Sequence, residues 1–198
     1  MLESDAGGPV VRARFRLSAG DRVPLVARYG AEDPRCDPEG ILGLLDETVA
    51  VWHDWRHFCD RPKCSFEGPW HDLVVRSGLA LKLLTHPDTG AIAAAATTSL
   101  PEEIGGVRNW DYRYSWIRDA AFTVQALAAL GHRAEALDFV EWVHRVSKEK
   151  GTSEFKLQIM YGLHGEKDLT EMTLDHLEGY CGSRPVRVGN GAFDQHQL

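Results

Sequence analysis

A twelve-residue run in the middle of the chain, residues 108–119, combines aromatic rings, guanidinium groups and carboxylates. It holds two Trp, two Tyr, three Arg and two Asp, and it continues directly into the apolar stretch 120–130. A buried helix start rarely carries so many polar groups, because each one left unpaired costs roughly 1–3 kcal/mol. A sugar needs such a mixture, since its CH face stacks on a ring and its hydroxyls require directional donors and acceptors. The run therefore predicts a carbohydrate site where a loop meets a helix.

Charge and composition exclude several classes of partner. The formal net charge of -7 disfavours nucleic acid, because a phosphate-binding surface needs clustered Lys and Arg. No run of 18 apolar residues is present, so no membrane partner is expected. The first residues show neither the basic nor the apolar segment of a secretion signal. The four cysteines are too scattered for a disulfide framework, and we expect reduced thiols in a cytoplasmic chain.

One group of residues partly resembles a metal-ligand set. His53 and His57 lie four positions apart, which places two His on one helix face, and Cys59 and Cys64 follow. The group lies beside tryptophans such as Trp55 in a segment typical of a packed helix, and we interpret it as structural. The residues present imply no metal and no cofactor.

Residues 9–30 are typical of a β-hairpin. Val11–Leu17 alternates apolar and basic residues, residues 18–21 supply turn chemistry, and Val23–Tyr29 returns. A single hairpin is only marginally stable. We therefore interpret the segment as the edge of a larger sheet whose other strands are not in this chain.

Apolar periodicity predicts four helices in the rest of the chain. Their expected bounds are Pro38 to about Phe58, about Trp70 to Leu84, the end of the 108–119 run to Leu130, and about Arg133 to Lys148. The fourth helix is expected to turn four residues inward, namely Ala136, Phe139, Val140 and Val143. Residues 91–99 are small and are predicted to form a buried extended connector. Short strands or loops are expected around Leu157–Tyr161 and Leu174–Tyr180.

Within the 108–119 run, Tyr112, Trp116 and Asp119 are spaced i, i+4 and i+7, so a helical conformation would place them on one face. Arg118 lies near the helix N-terminus, where a cation is unfavourable by about 0.3–1 kcal/mol. Its position requires a compensating contact, which Asp119, Asp111 or a ligand could supply.

At these residues the chain resembles a known family. Residues 108–120, introduced by Thr97-Thr-Ser-Leu-Pro-Glu and Gly105-Gly, closely resemble the signature of glycoside hydrolase family 15. This glucoamylase-like family includes bacterial trehalases and glucodextranases. A second block resembles the same family in the same order, through residues 157–165, 176–180 and 182–190. The resemblance covers about residues 70–198 and, more loosely, the hairpin and helix before them.

The resemblance implies an N-terminal β-sandwich, a helical linker and an (α/α)6 barrel whose loops form the active cleft. The fold expected here is mainly α, a partial (α/α)6 barrel preceded by a short β-hairpin and a linker helix. The implied domains are residues 1–32 as a remnant of the sandwich, residues 33–69 as the linker helix and loop, and residues 70–198 as the truncated N-terminal part of the barrel.

The activity implied by the resemblance is that of an inverting, exo-acting α-glucosidase that releases glucose from non-reducing ends. In this mechanism one carboxyl group protonates the glycosidic oxygen and a second, roughly 6.5–9.5 Å away, activates water. The implied substrate is a glucosyl saccharide, either trehalose or an α-glucan.

Site residues are carried over from the family one by one. Arg118 and Asp119 are expected to bind hydroxyls of the terminal glucose, Trp116 to supply apolar contact, and Tyr112 to line the cleaving subsite. In the second block, three residues are expected along the cleft, namely Tyr180, Arg184 and Arg187. Arg187 has an alternative role as a member of a structural ion pair.

No catalytic residue is expected in this chain. In the family the general acid follows the second block and the general base lies further on, so both are expected beyond Leu198. Glu166, Glu171 and Glu178 do not lie in matching contexts. The alternative function is a non-catalytic carbohydrate-binding or partner-docking remnant, associated with a chain that supplies the missing half of the barrel.

Overall fold

The computed structural model describes residues 2–5, 8–26, 38–56, 64–148, 157–193 and 196–197. The chain divides into two compact units, Met1–Trp55 and Arg56–Leu198. Four α-helices and several short antiparallel strand pairs make the described part mainly helical. None of the described helices is both long enough and apolar enough to cross a membrane.

The first unit contains a short hairpin and one helix. Strands β1 (Leu2–Asp5) and β2 (Gly8–Val11) pair in antiparallel register, with Leu2 opposite Val11. Helix α1 (Pro38–Trp55) begins at the predicted residue, and its predicted continuation to Phe58 lies outside the described residues. The helix turns apolar residues such as Leu44 and Val49 toward solvent.

Of the described residues in the two predicted strands, 11–17 and 23–29, only Val11 lies in a strand, as the last residue of β2, and the prediction is wrong for the others. Residues 12–18 and 21–26 form no strand in the described part of the chain. The predicted turn does form, because the Ser18 N–H donates to the Asp21 carboxylate at 2.7 Å and the Asp21 N–H donates to the Ser18 carbonyl at 3.1 Å. Apolar residues on either side of it, such as Phe15 and Leu25, remain exposed. Period-two alternation yields a strand only when a partner strand and a covering face are available.

The second unit is built on three helices, α2 (His71–Leu83), α3 (Ile117–Ala129) and α4 (Arg133–Ser147), and all three confirm helices predicted from the sequence. Helix α3 packs against both α2 and α4. The tight α3–α4 connection uses Gly131 at φ +95°, a conformation that glycine adopts without a Cβ clash. The His132 N–H donates to the Leu127 carbonyl at 2.9 Å and closes the end of α3.

Aromatic rings from α4 form the centre of the core. Trp142 packs edge-on against Tyr161 with ring centroids 5.8 Å apart and lies 5.6 Å from Phe139. The core cluster comprises Ala91, Ile92, Ala120, Phe139, Trp142, Val146 and Tyr161. The prediction that Val140 points inward is wrong, since Val140 is 56% exposed whereas Trp142 is 1% exposed. The buried stripe of α4 follows Phe139, Trp142 and Val146, which leaves Val140 on the outer side of the helix.

The described part of the second unit also contains three short antiparallel strand pairs. The pairs are β3 (Ser115–Trp116) with β5 (Met160–Tyr161), β4 (Leu157–Gln158) with β8 (His196–Gln197), and β6 (Met172–Thr173) with β7 (Arg187–Val188). Short strands or loops were predicted around Leu157–Tyr161, and strands β4 and β5 form there. A 3₁₀ turn, Tyr180–Gly182, lies between β6 and β7. The β3–β5 pair brings the two sequence blocks of the resemblance into direct contact.

Candidate functional site

The connector predicted to be buried and extended lies beside the 108–119 run. Its first residues, Ala91 and Ile92, are buried, whereas residues 96–98 are exposed. The Ala95 N–H donates to the Tyr112 carbonyl at 2.9 Å, and further backbone bonds join the two segments on either side. The connector is therefore bonded through its backbone to residues 110–114, which lead into β3 and α3.

The first hollow, of about 300 Å³, lies at the start of α3. It is lined by Ala94, Tyr112, Trp116, Arg118 and Asp119. A helical conformation would place Tyr112, Trp116 and Asp119 on one face, but α3 begins only at Ile117, so Tyr112 and Trp116 precede the helix. The three side chains nevertheless line the same hollow, because strand β3 is followed directly by helix α3.

Aromatic and charged groups alternate around the first hollow. The rings of Tyr112 and Trp116 meet edge to face with centroids 6.3 Å apart, and the guanidinium carbon of Arg118 lies 5.7 Å from the Trp116 centroid. Arg118 donates to the Asp119 carboxylate at 3.2 Å, with the two side chains 67% and 42% exposed. Such an exposed pair contributes at most about 1 kcal/mol. Both groups can therefore exchange their mutual contact for bonds to a bound hydroxyl.

Asp111 does not pair with Arg118; it binds Arg113 instead. Its two carboxylate oxygens accept bonds from Nε and Nη2 of Arg113, both at 2.8 Å, and one also accepts the Gly189 N–H at 3.3 Å. Burial raises the pKa of Asp111, but the bonds from Arg113 and Gly189 outweigh it and hold the pKa below its ordinary value of 3.8. Asp111 is therefore an ionised, buried group that connects the 108–119 run to Gly189 through hydrogen bonds.

The second hollow, of about 340 Å³, is lined by one aromatic side chain from each of the two sequence blocks. It is lined by residues 97–101, Asn109, Trp110, Gly179, Tyr180, Ser183, Val186 and Arg187. The structure thus places Tyr180 and Arg187 together, in a hollow different from that of Arg118 and Asp119. Arg184 lines neither hollow, and its Nη1 donates to the Asp175 carbonyl at 3.0 Å.

Arg187 is held by several contacts. Its Nε lies 3.1 Å from the Glu171 carboxylate, and its Nη1 donates to the carbonyls of Val107 and Asn109 at 3.1 and 3.2 Å. The guanidinium carbon also lies 5.4 Å from the centroid of the Trp110 ring. Arg187 therefore has an ion-pair partner, Glu171, as its alternative role in a structural ion pair requires.

Trp110 and Asp111 were not singled out as site residues from the sequence. Trp110 donates from Nε1 to Glu102 at 3.0 Å and from its backbone N–H to Ser99 Oγ at 2.8 Å. The bond from Trp110, followed by that from Arg108, lowers the pKa of Glu102. A signal was present, because Trp110 and Tyr112 alternate with Asp111 and Arg113 as expected for an extended segment.

No group of three or more potential metal ligands occurs among the residues that the structure describes. Two of the four residues considered from the sequence, His57 and Cys59, lie outside them. The chemistry that the two hollows offer is hydrogen bonding and aromatic stacking.

Sequence comparisons with known proteins identify the family of this chain. Residues 68–198 match the sequence model of glycosyl hydrolases family 15. The chain is 44% identical over 190 residues to a trehalase of Mycolicibacterium smegmatis, covering 96% of this chain and 28% of the relative. It is 42% identical over 190 residues to a trehalase of Mycobacterium tuberculosis, covering 96% and 27%. A trehalase of Thermoplasma acidophilum is 44% identical over 155 residues, covering 78% and 25%.

The chain therefore spans about a quarter of the length of these curated relatives. No solved structure matches it significantly. The family model covers well over half of the chain and includes both sequence blocks, all three helices of the second unit and both hollows. The chain belongs to glycosyl hydrolases family 15.

Proposed function

We propose that the first hollow binds the terminal glucose of an α-glucoside, and that the chain contributes this subsite to a glycoside hydrolase of the trehalase type. The observation that carries the proposal is the convergence of Tyr112, Trp116, Arg118 and Asp119 on one hollow. The names of the similar proteins, all trehalases, favour trehalose over an α-glucan as the substrate.

Three residues of the first hollow carry groups that suit a sugar. Trp116 offers an aromatic surface to the CH face of the ring, while Arg118 donates and Asp119 accepts. Hydrogen bonds to charged groups contribute about 1.5–3 kcal/mol, more than bonds between neutral partners. A neighbouring donor and acceptor can bind two adjacent hydroxyls in a defined orientation.

The hydrolytic step needs groups that the described residues of the first hollow do not supply. An inverting reaction uses two carboxyl groups roughly 6.5–9.5 Å apart. Of the described residues that line this hollow, Asp119 alone carries a carboxyl group. We place the general acid and general base of the exo-acting, inverting reaction outside this chain. The same observation favours the second candidate function, a non-catalytic carbohydrate-binding remnant of such an enzyme.

We further propose that helices α2–α4 form part of an (α/α)6 barrel. The supporting observation is that large apolar residues of these helices, Leu73, Phe122, Leu137 and Val140, face solvent. Further barrel helices, in the same or an associated chain, would cover them. In this arrangement residues 1–32 belong to a sandwich, residues 33–69 to the linker and residues 70–198 to the barrel.

A sugar titration tests the proposed function. We expect the chain to bind both glucose and trehalose, and Asp119→Ala to weaken binding of both by tenfold or more, on the order of a lost charged hydrogen bond. Isothermal titration calorimetry gives the dissociation constants. Glu141→Ala, which removes an exposed acid of α4 outside both hollows, is the matched control. Equal affinities in wild type and Asp119→Ala would refute the proposal.

A further inference from the structure

The side chain of Asp111 lines neither hollow, yet its hydrogen bonds hold the backbone that carries Tyr112 into the first one. We propose that Asp111 is a positioning residue for sugar binding, which fixes the orientation of Tyr112 and thereby sets the affinity of the first hollow for glucose. The inference rests on the proposed function of the first hollow. It assigns a role in binding to a side chain that is 0% exposed and does not itself touch the sugar.

Both polar groups of the peptide unit between Tyr112 and Arg113 are bonded. The Tyr112 carbonyl accepts the Ala95 N–H at 2.9 Å, and the Arg113 N–H donates to Asp111 Oδ1 at 3.2 Å. Because a peptide unit is planar, bonds to its carbonyl and to its N–H together fix the rotation of the whole unit. That rotation determines the direction in which the Tyr112 side chain leaves the backbone, and Asp111 supplies one of the two bonds.

The Arg113 side chain reinforces this arrangement. Its Nε donates to Asp111 Oδ1 and its Nη2 donates to Asp111 Oδ2, both at 2.8 Å. Bidentate pairs of guanidinium and carboxylate are stronger and more directional than hydrogen bonds between neutral groups. The residues on either side of Tyr112 are therefore joined to each other through both backbone and side chain.

The same carboxylate is anchored at its far side in the second sequence block. The Gly189 N–H donates to Asp111 Oδ2 at 3.3 Å. The next residue, Asn190, donates its N–H to the Leu169 carbonyl at 2.9 Å, and strand β7, which ends at Val188, pairs with β6. Gly189 thus lies between two bonded neighbours, and Asp111 connects the backbone of Tyr112 to this bonded segment.

The effect of Asp111 on a sugar is expected to pass through the Tyr112 ring. This ring meets Trp116 edge to face with centroids 6.3 Å apart, and both rings line the first hollow. Among the described residues, the side-chain bonds of Asp111 reach none of α3, the helix that carries Arg118 and Asp119. A ring that is held in place before the sugar arrives also lowers the entropy that binding must overcome.

A double-mutant cycle tests the proposal, with glucose as the probe and calorimetry on the 198-residue chain at a temperature where circular dichroism shows every variant folded. We expect Tyr112→Ala to weaken glucose binding roughly two- to tenfold, as the loss of an aromatic contact does. Asp111→Asn keeps the size of the side chain but loses an acceptor, and it should weaken binding by a factor no larger than that. In the double variant the affinity should equal that of Tyr112→Ala alone, because Asp111 has no ring left to orient.

Two further variants separate positioning from stability. Arg113→Ala removes the guanidinium but keeps the backbone bond to Asp111, so it should weaken glucose binding less than Asp111→Asn does. Val146→Ala removes buried apolar volume from α4, outside both hollows, and should leave the affinity of the folded chain for glucose unchanged. A loss of affinity in Val146→Ala equal to that in Asp111→Asn would show that general destabilisation is the cause and would overturn the proposal.

The outcomes also separate this inference from the proposed function. If Asp111→Asn binds glucose as well as wild type while Asp119→Ala loses binding, the positioning role is refuted and the first hollow stands as the sugar site. If Asp111→Asn weakens binding as much in Tyr112→Ala as in wild type, Asp111 does not act through Tyr112 and the proposal fails. If Asp119→Ala leaves glucose binding intact, the proposed function fails and the inference that rests on it fails too.

Discussion

The backbone N–H of Gly189 donates to the carboxylate of Asp111 at 3.3 Å, across 78 residues of sequence. The same buried carboxylate holds the guanidinium of Arg113 through two bonds of 2.8 Å. Tyr112 lies between Asp111 and Arg113, so this cluster fixes the backbone that presents Tyr112 to the first hollow. One carboxylate thereby joins the two sequence blocks and supports the candidate site from its buried side.

Removing the Asp111 side chain should destabilise the second unit. We expect Asp111→Ala to lower the free energy of unfolding by about 2–3 kcal/mol, because buried donors lose their acceptor. The cost stays below that of a fully buried ion pair, since Arg113 is 47% exposed and can be hydrated. Urea denaturation followed by circular dichroism measures the change.

The exposed pair of Arg108 and Glu102 provides the comparison for Asp111→Ala. Its two side chains are largely in solvent, so Arg108→Ala should cost less than about 1 kcal/mol. Equal costs for the two substitutions would mean that burial of Asp111 contributes nothing to stability.

The stability contributed by Asp111 should disappear in acid. Its folded pKa is depressed below 3.8, so the contribution is fully present above the unfolded pKa and is lost as the pH falls through the folded pKa. We therefore expect the difference in free energy of unfolding between wild type and Asp111→Asn to be largest above about pH 5 and to shrink below pH 4. Urea denaturation at a series of pH values measures it, and a difference independent of pH would contradict the prediction.

Gly189 should tolerate no side chain. Its φ is +87°, and a Cβ would collide with the carbonyl oxygens of Thr170 and Leu169. Gly131→Ala is the matched control, because Gly131 has a similar φ of +95° but open space around its Cβ position. Positive φ alone costs about 1–2 kcal/mol, and we expect Gly189→Ala to cost roughly 1–3 kcal/mol more than Gly131→Ala. Thermal unfolding of both variants tests this prediction. Similar melting temperatures for Gly189→Ala and Gly131→Ala would show that the Cβ at position 189 meets no costly contact.

The helices were predictable because their apolar residues recur with a helical period and their ends carry local signals. Pro38 begins α1 and Gly131 follows α3, as predicted. The strand prediction for residues 12–17 failed because alternation of apolar and basic residues shows only which side chains a strand would bury, not whether the segment pairs with another strand. Pairing depends on residues elsewhere in the chain, and the described residues of that segment remain exposed.

The composition of the first hollow was predictable, but its conformation was not. The density of aromatic and charged groups marked Tyr112, Trp116, Arg118 and Asp119 together. Their meeting depends on β3, whose pairing with β5 connects Ser115 to Tyr161 and leaves no local trace in the sequence. The roles of these four residues toward a sugar stay predictions.

Helix α4 offers a direct test of which side faces the core. Val146 is buried beside Trp142, whereas Val140 is exposed. We expect Val146→Ala to cost about 2 kcal/mol through lost burial and the cavity left behind. Val140→Ala on the same helix should change stability by no more than about 0.5 kcal/mol. Urea denaturation measures the free energy of unfolding of the two variants. A larger decrease for Val140→Ala than for Val146→Ala would support the inward orientation of Val140 that was predicted from the sequence.

The chain alone should release no glucose from trehalose or maltooligosaccharides. Asp119 is the one carboxyl among the described residues that line the first hollow, and it has no second carboxyl there to complete an acid–base pair. Each missing proton transfer is typically worth 10²–10⁴-fold in rate. A coupled glucose assay on the purified chain measures release, with Asp119→Ala as the control for contaminating activity. Release by wild type that Asp119→Ala abolishes would mean that another carboxyl, within this chain or from a second copy, completes the pair.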